Sequence, residues 1–410
     1  MRAFIGEVVN SFKTIVYRTT YGVLRCLKRV FVVFVCLCFV VFISYMEYPF
    51  SEEESKEWAA PGSVIVGFGV RNSPYDIFEQ TSYSLYSVDG EKLDVARGAT
   101  RFFPGAVLVD GWTALNFYGE VRILGEEPER FKASNNDTTS YDFSPRGSSG
   151  LFIFDNLSCR SGPFCHDFIH VFPGGNPHLV TLSGRMHSYA LSEDETLAVL
   201  NDVPGKQDSE KETFSIFGID HQGNVYDVAF QQEELFPDEE IAGATLHYLE
   251  DGKYLLERWR EVAEGEYIDF GTVFRIDKSS NGWKLHVEGH TEPMSTTMIG
   301  VRFSTKLRNG RTGKIEKDGN VVVESLLEGT SKVTGNISDV VTDSSNVHRA
   351  FCQHHDYFYI HDKDTLHIRT WDEPTKDFRK LTLDGSECRF RIPFLKSSSC
   401  MLASVSVRDG

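Results

Sequence analysis

The chain has 410 residues, of which 41% are apolar and 13% aromatic, a composition that excludes an intrinsically disordered protein and suffices for one large or two ordinary domains. Its formal net charge of −17 argues against nucleic acid or an anionic membrane surface as the main partner, because both would repel it. We therefore expect a folded protein that binds no nucleic acid.

The N-terminal region divides into a basic tail and an apolar segment. Before residue 47, six basic side chains stand against one acidic side chain, a local net charge of +5. Residues 30–46 then carry no charge. As a helix they would extend roughly 26 Å, slightly less than a hydrocarbon core of about 30 Å, and Tyr48 adds an interfacial aromatic ring. The pattern predicts a cytosolic tail at residues 1–29 and a transmembrane signal-anchor at residues 30–48.

Two other interpretations of the apolar segment are a buried core helix and a cleavable signal peptide. A core helix would have a polar face, and a signal peptide would have a shorter basic leader and a cleavage site of small residues. Because Lys28 and Arg29 precede the segment and Glu47 follows it, the positive-inside rule places the remainder outside the cytosol. We expect a type II membrane protein of the secretory pathway (endoplasmic reticulum, Golgi or cell surface) with a lumenal or extracellular C-terminal domain.

Beyond the anchor, the acidic and weakly patterned residues 49–61 predict a short stalk, and residues 62–410 predict one extracytoplasmic domain. In that compartment three Asn-x-Ser/Thr tripeptides would accept N-linked glycans, at Asn136, Asn156 and Asn336.

Five cysteines lie in this domain: Cys159, Cys165, Cys352, Cys388 and Cys400. An odd number permits at most two disulfides within the chain. Cys159 and Cys165 enclose a Gly-Pro turn, which favours a disulfide between them. The alternative is a metal site with His166 and His170, although the spacing matches no zinc signature.

Most of residues 62–410 consists of short β-branched and aromatic runs separated by Gly, Asp, Asn or Ser turns, which is typical of strands. Residues 214–230 form the pattern of a hairpin about a His-Gln-Gly-Asn turn, and residues 272–287 repeat it. Helical periodicity is scarce. The best helical candidate is Asp251 to Glu264, and its initial Asp-Gly favours a strand turn instead.

Two landmarks show that the unit repeats. Asp251 follows Asp194 by 57 residues, and Ile276 follows Ile219 by the same number. Each unit is interpreted as about four antiparallel strands, which is the composition of a propeller blade.

Further hairpin centres extend the series: Asp89-Gly90, Gly174-Gly175, Gly223, Gly282, Asp318-Gly319, Thr375 and one unmarked centre near Arg130. Seven centres between residues 90 and 375 have a mean step of about 48 residues, (375 − 90)/6. The prediction is an all-β fold, a β-propeller of about seven four-stranded blades preceded by one transmembrane helix. Six or eight blades and an irregular pair of β-sandwiches are the alternatives.

Two short patches resemble the β-propeller superfamily. Trp371-Asp372 would match the dipeptide that ends the third strand of a WD-type repeat, and Gly289-His290 would match its Gly-His dipeptide. The resemblance implies the architecture and no WD-family partner. Because an open ring would expose strand edges, we expect Ser63–Phe68 and Leu402–Val407 to share one blade, with the N-terminal strand completing the C-terminal sheet.

The richest set of potential metal ligands lies near the C-terminus: Cys352, His354, His355, Asp356, His361, Asp362, Asp364 and His367. Imidazole and carboxylate groups together suit zinc or manganese, but an apolar strand at residues 357–360 separates them, which favours two strand-end turns. Asp362 and Asp364 also resemble the Asp-x-Asp pair of Golgi glycosyltransferases, which implies Mn²⁺ bound to a nucleotide sugar. Those enzymes alternate strands with helices, which this sequence does not predict.

The sequence contains no nucleophile elbow, Walker loop, dinucleotide-binding fingerprint or EF-hand loop. A propeller hydrolase with acidic residues or a calcium ion in its central channel is a further alternative without identified residues. The leading hypothesis is a glycosylated, membrane-anchored propeller that acts as a binding or scaffolding module for a protein or glycan ligand. No catalytic residue, metal ligand or cofactor is assigned.

Overall fold

The computed structural model describes residues 28, 30–32, 52–72, 79–99, 106–109, 112–117, 120–125, 129–132, 138–143, 149–155, 165–171, 178–202, 214–237, 243–280, 282–342, 345–352, 355–388 and 397–408. The chain divides into two compact units, one of Met1–Pro49 with Arg391–Leu395 and the other of Phe50–Phe390 with Lys396–Gly410. The second unit contains all of the strands described below.

The all-β prediction is confirmed, because nearly every described element of the second unit is a strand. The described residues of the second unit include two short α-helices, α1 (Glu52–Trp58) and α2 (Gln232–Leu235). The strands are β1 (Val64–Asn72), β2 (Glu79–Tyr86), β3 (Lys92–Ala99), β4 (Ala106–Val109), β5 (Trp112–Phe117), β6 (Glu120–Gly125), β7 (Glu129–Lys132), β8 (Thr138–Phe143), β9 (Gly150–Asp155), β10 (Cys165–Val171), β11 (His178–Ser183), β12 (Met186–Leu191), β13 (Leu197–Asp202), β14 (Phe214–Ile219), β15 (Val225–Ala229), β16 (Gly243–Tyr248), β17 (Lys253–Ala263), β18 (Glu266–Ser279), β19 (Gly282–His290), β20 (Met294–Thr297), β21 (Val301–Lys306), β22 (Arg311–Glu316), β23 (Asn320–Ser325), β24 (Thr330–Asn336), β25 (Asn346–Cys352), β26 (Tyr357–Asp362), β27 (Thr365–Thr370), β28 (Arg379–Thr382) and β29 (Ser397–Val407).

The strands of the described ranges form seven antiparallel meanders of four strands each. In chain order these are β29-β1-β2-β3, β4–β7, β8–β11, β12–β15, β16–β19, β21–β24 and β25–β28. Short parallel pairings join β15 to β19 and β25 to β29, and β20 adds to β18. At four junctions the first strands of successive meanders lie side by side: β29 contacts β4, β4 contacts β8, β12 contacts β16, and β21 contacts β25.

The two ends of the second unit meet in one sheet. β1 pairs with β29 in antiparallel register, from Val64 opposite Val407 to Asn72 opposite Ser397. The prediction that the two terminal runs belong to one sheet is therefore confirmed. The chain order within that meander differs from the expectation, because one C-terminal strand joins three N-terminal strands and not the reverse.

The apolar core lies between neighbouring meanders. Phe168 of β10 and Val199 of β13 belong to one buried cluster, and Phe274 of β18 and Phe214 of β14 belong to another. Each fully buried side chain of this kind stabilises the fold by about 1.5–3 kcal/mol. Face-to-face packing of adjacent sheets therefore holds the arrangement together.

The repeat landmarks occupy equivalent positions, as predicted. Asp194 and Asp251 lie in the turns that follow β12 and β16, the first strands of their meanders. Ile219 and Ile276 lie in the third strands, β14 and β18. The helical candidate that begins at Asp251 is instead a turn followed by β17, in agreement with the strand-turn interpretation of its Asp-Gly.

The centres predicted at Asp318-Gly319 and near Arg130 both correspond to antiparallel hairpins, but Asp318-Gly319 is not equivalent to the other members of the series. Asp318-Gly319 connects the second strand of its meander to the third, whereas Gly223 and Gly282 connect third strands to fourth strands. Arg130 itself lies in β7, and the hairpin that joins β6 to β7, the third and fourth strands of their meander, immediately precedes it. An Asp-Gly pair fits either hairpin of a meander equally well, so local turn chemistry alone does not tell them apart.

The segment expected to be a stalk, residues 49–61, contains α1, and this helix packs on the β-sheets. Ser55 and Trp58 are buried. The Ser55 hydroxyl donates to the Gly125 carbonyl (3.0 Å), and the Trp58 indole donates to Asp94 (2.8 Å). At least the second half of the predicted stalk therefore belongs to the domain.

The anchor predicted at residues 30–48 lies largely outside the described residues. Lys28, Val30, Phe31 and Val32 are helical. Within the described ranges, the structure contains no helix that is both long and apolar enough to cross a membrane.

Candidate functional site

A cavity of about 420 Å³ opens where the first strands of four consecutive meanders end. β12, β16, β21 and β25 line it, together with the turns that follow β12, β16 and β21. Its volume is within the range of about 300–1,000 Å³ typical of small-molecule sites. The lining comprises Ser188, Tyr189, Ala190, Leu191, Glu193, Thr245, Leu246, His247, Tyr248, Glu250, Lys306, Leu307, Arg308, Asn309 and Arg349.

The turns at this cavity are set by local sequence. After β16, Asp251 and Gly252 have φ values of 60° and 73°, and after β21, Asn309 and Gly310 have φ values of 55° and 66°. Asp, Asn and Gly tolerate this left-handed conformation better than other residues, so Asp-Gly and Asn-Gly favour the turn at both places. The turns thereby bring Glu250, Asn309 and their neighbours to the rim of the cavity.

A buried ionic network lies beside the cavity. Glu257 of β17 is 3% exposed and accepts hydrogen bonds from Lys306 and, over 2.8 Å, from Nε2 of His247. Burial by itself would raise the pKa of Glu257, but the His247 hydrogen bond and the Lys306 charge outweigh it and lower the pKa to about 2. Glu257 is therefore ionised and holds both partners in place at the cavity wall.

This network marks a polar contact between two meanders. Lys306 of β21 reaches Glu257 of the preceding meander, and Asn309 donates to Glu250 (3.3 Å). No buried apolar cluster of the described residues joins these two meanders, in contrast to several other neighbouring pairs. Hydrogen bonds and ion pairs thus replace apolar packing next to the cavity.

The cations around the cavity have different surroundings. Lys306 pairs with Glu257, and Arg308 donates to the Cys352 carbonyl (2.8 Å). Arg349 of β25 stacks on Phe351, with its guanidinium carbon 5.1 Å from the ring centroid. Among the described residues, no carboxylate pairs with the Arg349 guanidinium, which contacts the Phe351 ring.

A second polar cluster joins Ser149, His170 and Glu195. The Ser149 hydroxyl lies 2.8 Å from Nε2 of His170 and donates to Glu195, whose carboxylate is 3.4 Å from the same nitrogen. In a nucleophilic triad the carboxylate orients the imidazole from the opposite nitrogen. Burial lowers the pKa of His170, and Ser149 is fully buried. The cluster therefore does not form an accessible nucleophilic site, and it links two neighbouring meanders.

The structure places Asp362 and Asp364 at a hairpin turn. Asp362 ends β26, Lys363 has a φ value of 53°, and Asp364 precedes β27. Within the described residues, no three or more His, Cys, Asp or Glu side chains are grouped so that they could hold a metal ion. His354 lies outside the described residues.

The predicted modification sites fall in different parts of the chain. Asn336 is exposed at the end of β24, whereas Asn136 and Asn156 lie outside the described residues. Cys165 is in a disulfide, and its predicted partner Cys159 is also outside them.

A disulfide that the sequence did not assign joins Cys388 to Cys400. Cys352 is a buried thiol. The count of five cysteines had allowed two disulfides, but it gave no means of choosing these partners.

Sequence reasoning did not identify His247, Glu257, Lys306 and Arg349. One signal was present, since Glu257 interrupts the apolar run YLLERW in a predicted strand, where an acidic side chain needs a partner. The identity of that partner depends on which strands become neighbours, and local patterns do not give this information.

No family model matches the sequence, and no curated protein matches it. Similar solved structures include apo AztD from Citrobacter koseri, with 11% identity, 85% of this chain and 98% of that chain covered, and a TM-score of 0.36. A manganese complex of oligogalacturonate lyase has 9% identity, coverages of 80% and 100%, and a TM-score of 0.38. A variant of the Synechocystis apocarotenoid oxygenase has 9% identity, coverages of 88% and 98%, and a TM-score of 0.40. These similarities assign neither an activity nor a ligand to this chain.

Proposed function

We propose that this chain is a seven-bladed β-propeller held at a membrane of the secretory pathway by residues 30–48. Its propeller faces the lumen or the cell exterior and acts as a binding module. The ligand is a small polar molecule that occupies the cavity formed by β12, β16, β21 and β25.

The meander order supports the propeller. The support is the set of seven four-stranded units, first strands that are neighbours at four of the junctions, and a sheet that contains both β1 and β29. A propeller closes its ring by features of this kind. Joining the terminal strands also removes two edges that would otherwise be open to pairing with other chains.

Two observations support the compartment. Cys388 and Cys400 form a disulfide, and structural disulfides are typical of secreted and lumenal domains. Val30, Phe31 and Val32 are apolar, helical and at least half exposed, which suits side chains that face lipid.

One observation carries the binding proposal, namely the cavity lined by charged, hydroxyl and aromatic side chains from four meanders. Propeller channels and other inter-element clefts are ordinary positions for ligand sites, and polar groups that converge there fix the orientation of a ligand. The hydrolase and glycosyltransferase hypotheses remain alternatives that a turnover assay addresses.

Membrane topology is tested with the full chain carrying a C-terminal epitope tag in sealed microsomes. We expect protease to leave the tag intact until detergent opens the vesicles. Digestion of the tag in sealed vesicles would contradict the type II orientation.

Binding is tested by the thermal shift of the purified full chain with a panel of polar metabolites and monosaccharides. We expect stabilisation by at least one compound, abolished in Thr245→Phe, which fills the cavity, and retained in Thr330→Phe, which alters an exposed position on β24. If no compound stabilises the protein, the binding proposal fails. Turnover of a bound compound would replace the binding module with an enzyme.

A further inference from the structure

We propose that the ligand of this cavity is a hydroxyl-rich oxyanion, an acidic or phosphorylated monosaccharide, and that Arg349 binds its anionic group. This inference rests on the proposed function, because it names the ligand class of the same cavity.

Arg349 is the main observation. Its side chain lines the cavity, is half-buried, and stacks on the Phe351 ring, with no carboxylate partner among the described residues. Guanidinium groups removed from bulk water are ordinarily paired, and an arginine stacked on an aromatic ring has its planar donor edge fixed in orientation. That edge matches the two oxygens of a carboxylate or phosphate.

Two further cations add positive charge on the same side of the cavity as Arg349. Lys306 and Arg308 also line it, so three cations lie on the β21–β25 side. Glu257 partly neutralises Lys306, and the Arg308 guanidinium donates to the Cys352 carbonyl. Glu193 and Glu250 also line the cavity, so together with Glu257 the carboxylates are as many as the cations, but the grouping of the cations on one side makes that side the one that attracts an anionic group.

The β12–β16 side of the cavity carries negative charge and aromatic rings. Glu193 and Glu250 lie in the turns after β12 and β16 and present carboxylate acceptors. Acceptors of this kind suit ligand hydroxyl groups, which donate hydrogen bonds, and they disfavour a second anionic group. The rings of Tyr189 and Tyr248 add apolar surface for a sugar ring. The combination requires one anionic end and a hydroxyl-rich body.

The test uses the full chain in detergent and isothermal titration with glucuronate, glucose 6-phosphate and glucose at equal ionic strength. We expect at least one of the two anions to bind ten-fold or more tightly than glucose. Preference for glucuronate or for glucose 6-phosphate then distinguishes a carboxylate ligand from a phosphate ligand.

Variants test the role of Arg349. Arg349→Met is expected to weaken anion binding at least ten-fold, and Arg349→Lys is expected to recover part of the loss, because it keeps the charge and loses the two-pronged geometry. Arg379→Met is the matched control, since Arg379 also stacks on a phenylalanine, Phe378, at 4.4 Å and does not line the cavity. Circular dichroism checks that each variant is folded.

The outcomes separate this inference from the proposed function. The inference would be overturned if glucose bound as tightly as both anions, or if Arg349→Met left the anion affinity unchanged. The proposed function would still stand in either case, provided that Thr245→Phe abolished the binding. Absence of binding by glucuronate, glucose 6-phosphate and the wider panel would overturn both.

Discussion

Val64, the first residue of β1, lies directly opposite Val407, the last residue of β29. Beyond this pair, the backbone N–H of Arg408 donates to the Ser63 carbonyl (3.0 Å), and the Arg408 guanidinium donates to the Trp112 carbonyl (2.8 Å). The C-terminus therefore ties the first three strands and the next meander together. The stability of the whole domain should depend on this last strand.

Val405→Ala tests that dependence. Val405 is fully buried in β29, so removing two methyl groups should lower the free energy of unfolding by about 2 kcal/mol. Met401→Ala in the same strand is the control, because Met401 is 59% exposed and should change stability by less than about 0.5 kcal/mol. Urea unfolding measures both. Equal effects would show that β29 does not contribute as a buried strand.

The Cys388–Cys400 disulfide, which includes Cys400 of β29, should also stabilise the domain. In the chain-entropy model a bridge with a sequence separation of 12 stabilises by about 3 kcal/mol. The double variant Cys388→Ser, Cys400→Ser should lose about this amount in urea unfolding without reductant. Thiol labelling of the denatured wild-type chain should find both cysteines oxidised. If labelling finds them reduced, the bridge does not form in the expressed protein.

The strand pattern and the pairing of the two terminal strands, β1 and β29, could be predicted from sequence because both depend on local or terminal features. Gly223 and Gly282 have φ values of 81° and 120°, which ordinary side chains rarely adopt, so glycine marks these turns in the sequence. Closure followed from the cost of open strand edges. The hairpin predicted at Asp318-Gly319 is present, but it joins second and third strands and not third and fourth strands, because each meander has three turns with similar chemistry.

The candidate site could not be predicted in the same way. Glu257, Lys306 and Arg349 lie on first or second strands of three different meanders, separated by more than forty residues along the chain. Their proximity results from packing between meanders and leaves no periodic signal. The buried Glu257 alone had a sequence signature, and it indicated a need for a partner without naming Lys306 or His247.

Gly313 provides a test of packing between meanders. A Cβ at this position in β22 would lie 2.6 Å from the buried ring of Trp371, which follows β27 in the next meander. Gly313→Ala should therefore displace the ring and cost about 1–3 kcal/mol in urea unfolding. Gly289→Ala in β19 is the control, because its Cβ would meet no atom within 4 Å. If both variants are equally stable, the two meanders do not pack as described.

Asn336 should carry a glycan if the domain enters the secretory pathway. Asn336 is exposed, and its side-chain oxygen accepts from the Ser338 N–H (2.9 Å), which leaves the turn at the surface. When the chain is expressed in eukaryotic cells, an N-glycosidase should reduce its mass. The mass lost by Asn336→Gln should be smaller than the mass lost by wild type. Asn346→Gln alters another exposed asparagine, outside any acceptor tripeptide, and should leave the glycan unchanged. Identical glycosidase shifts in wild type and Asn336→Gln would contradict the prediction.

Glu257 should make the domain sensitive to acid. Burial opposes its charge, but His247 and Lys306 lower its pKa to about 2, against an ordinary value of 4.5. A carboxylate with a lowered pKa in the folded state contributes stability that is complete above the unfolded pKa and is lost as pH falls towards the folded pKa. The window is therefore about pH 4.5 down to pH 2, and the full contribution is about 3 kcal/mol.

Glu257→Gln removes this titration while it keeps the side-chain shape. Urea unfolding from pH 6 to pH 3 should show the wild-type advantage over Glu257→Gln shrinking as pH falls below about 4.5. Glu266→Gln, at an exposed position in β18, should follow the wild-type curve throughout. A constant difference between wild type and Glu257→Gln across this range would mean that Glu257 is not held ionised by His247 and Lys306. The polar contact beside the cavity would then need another explanation.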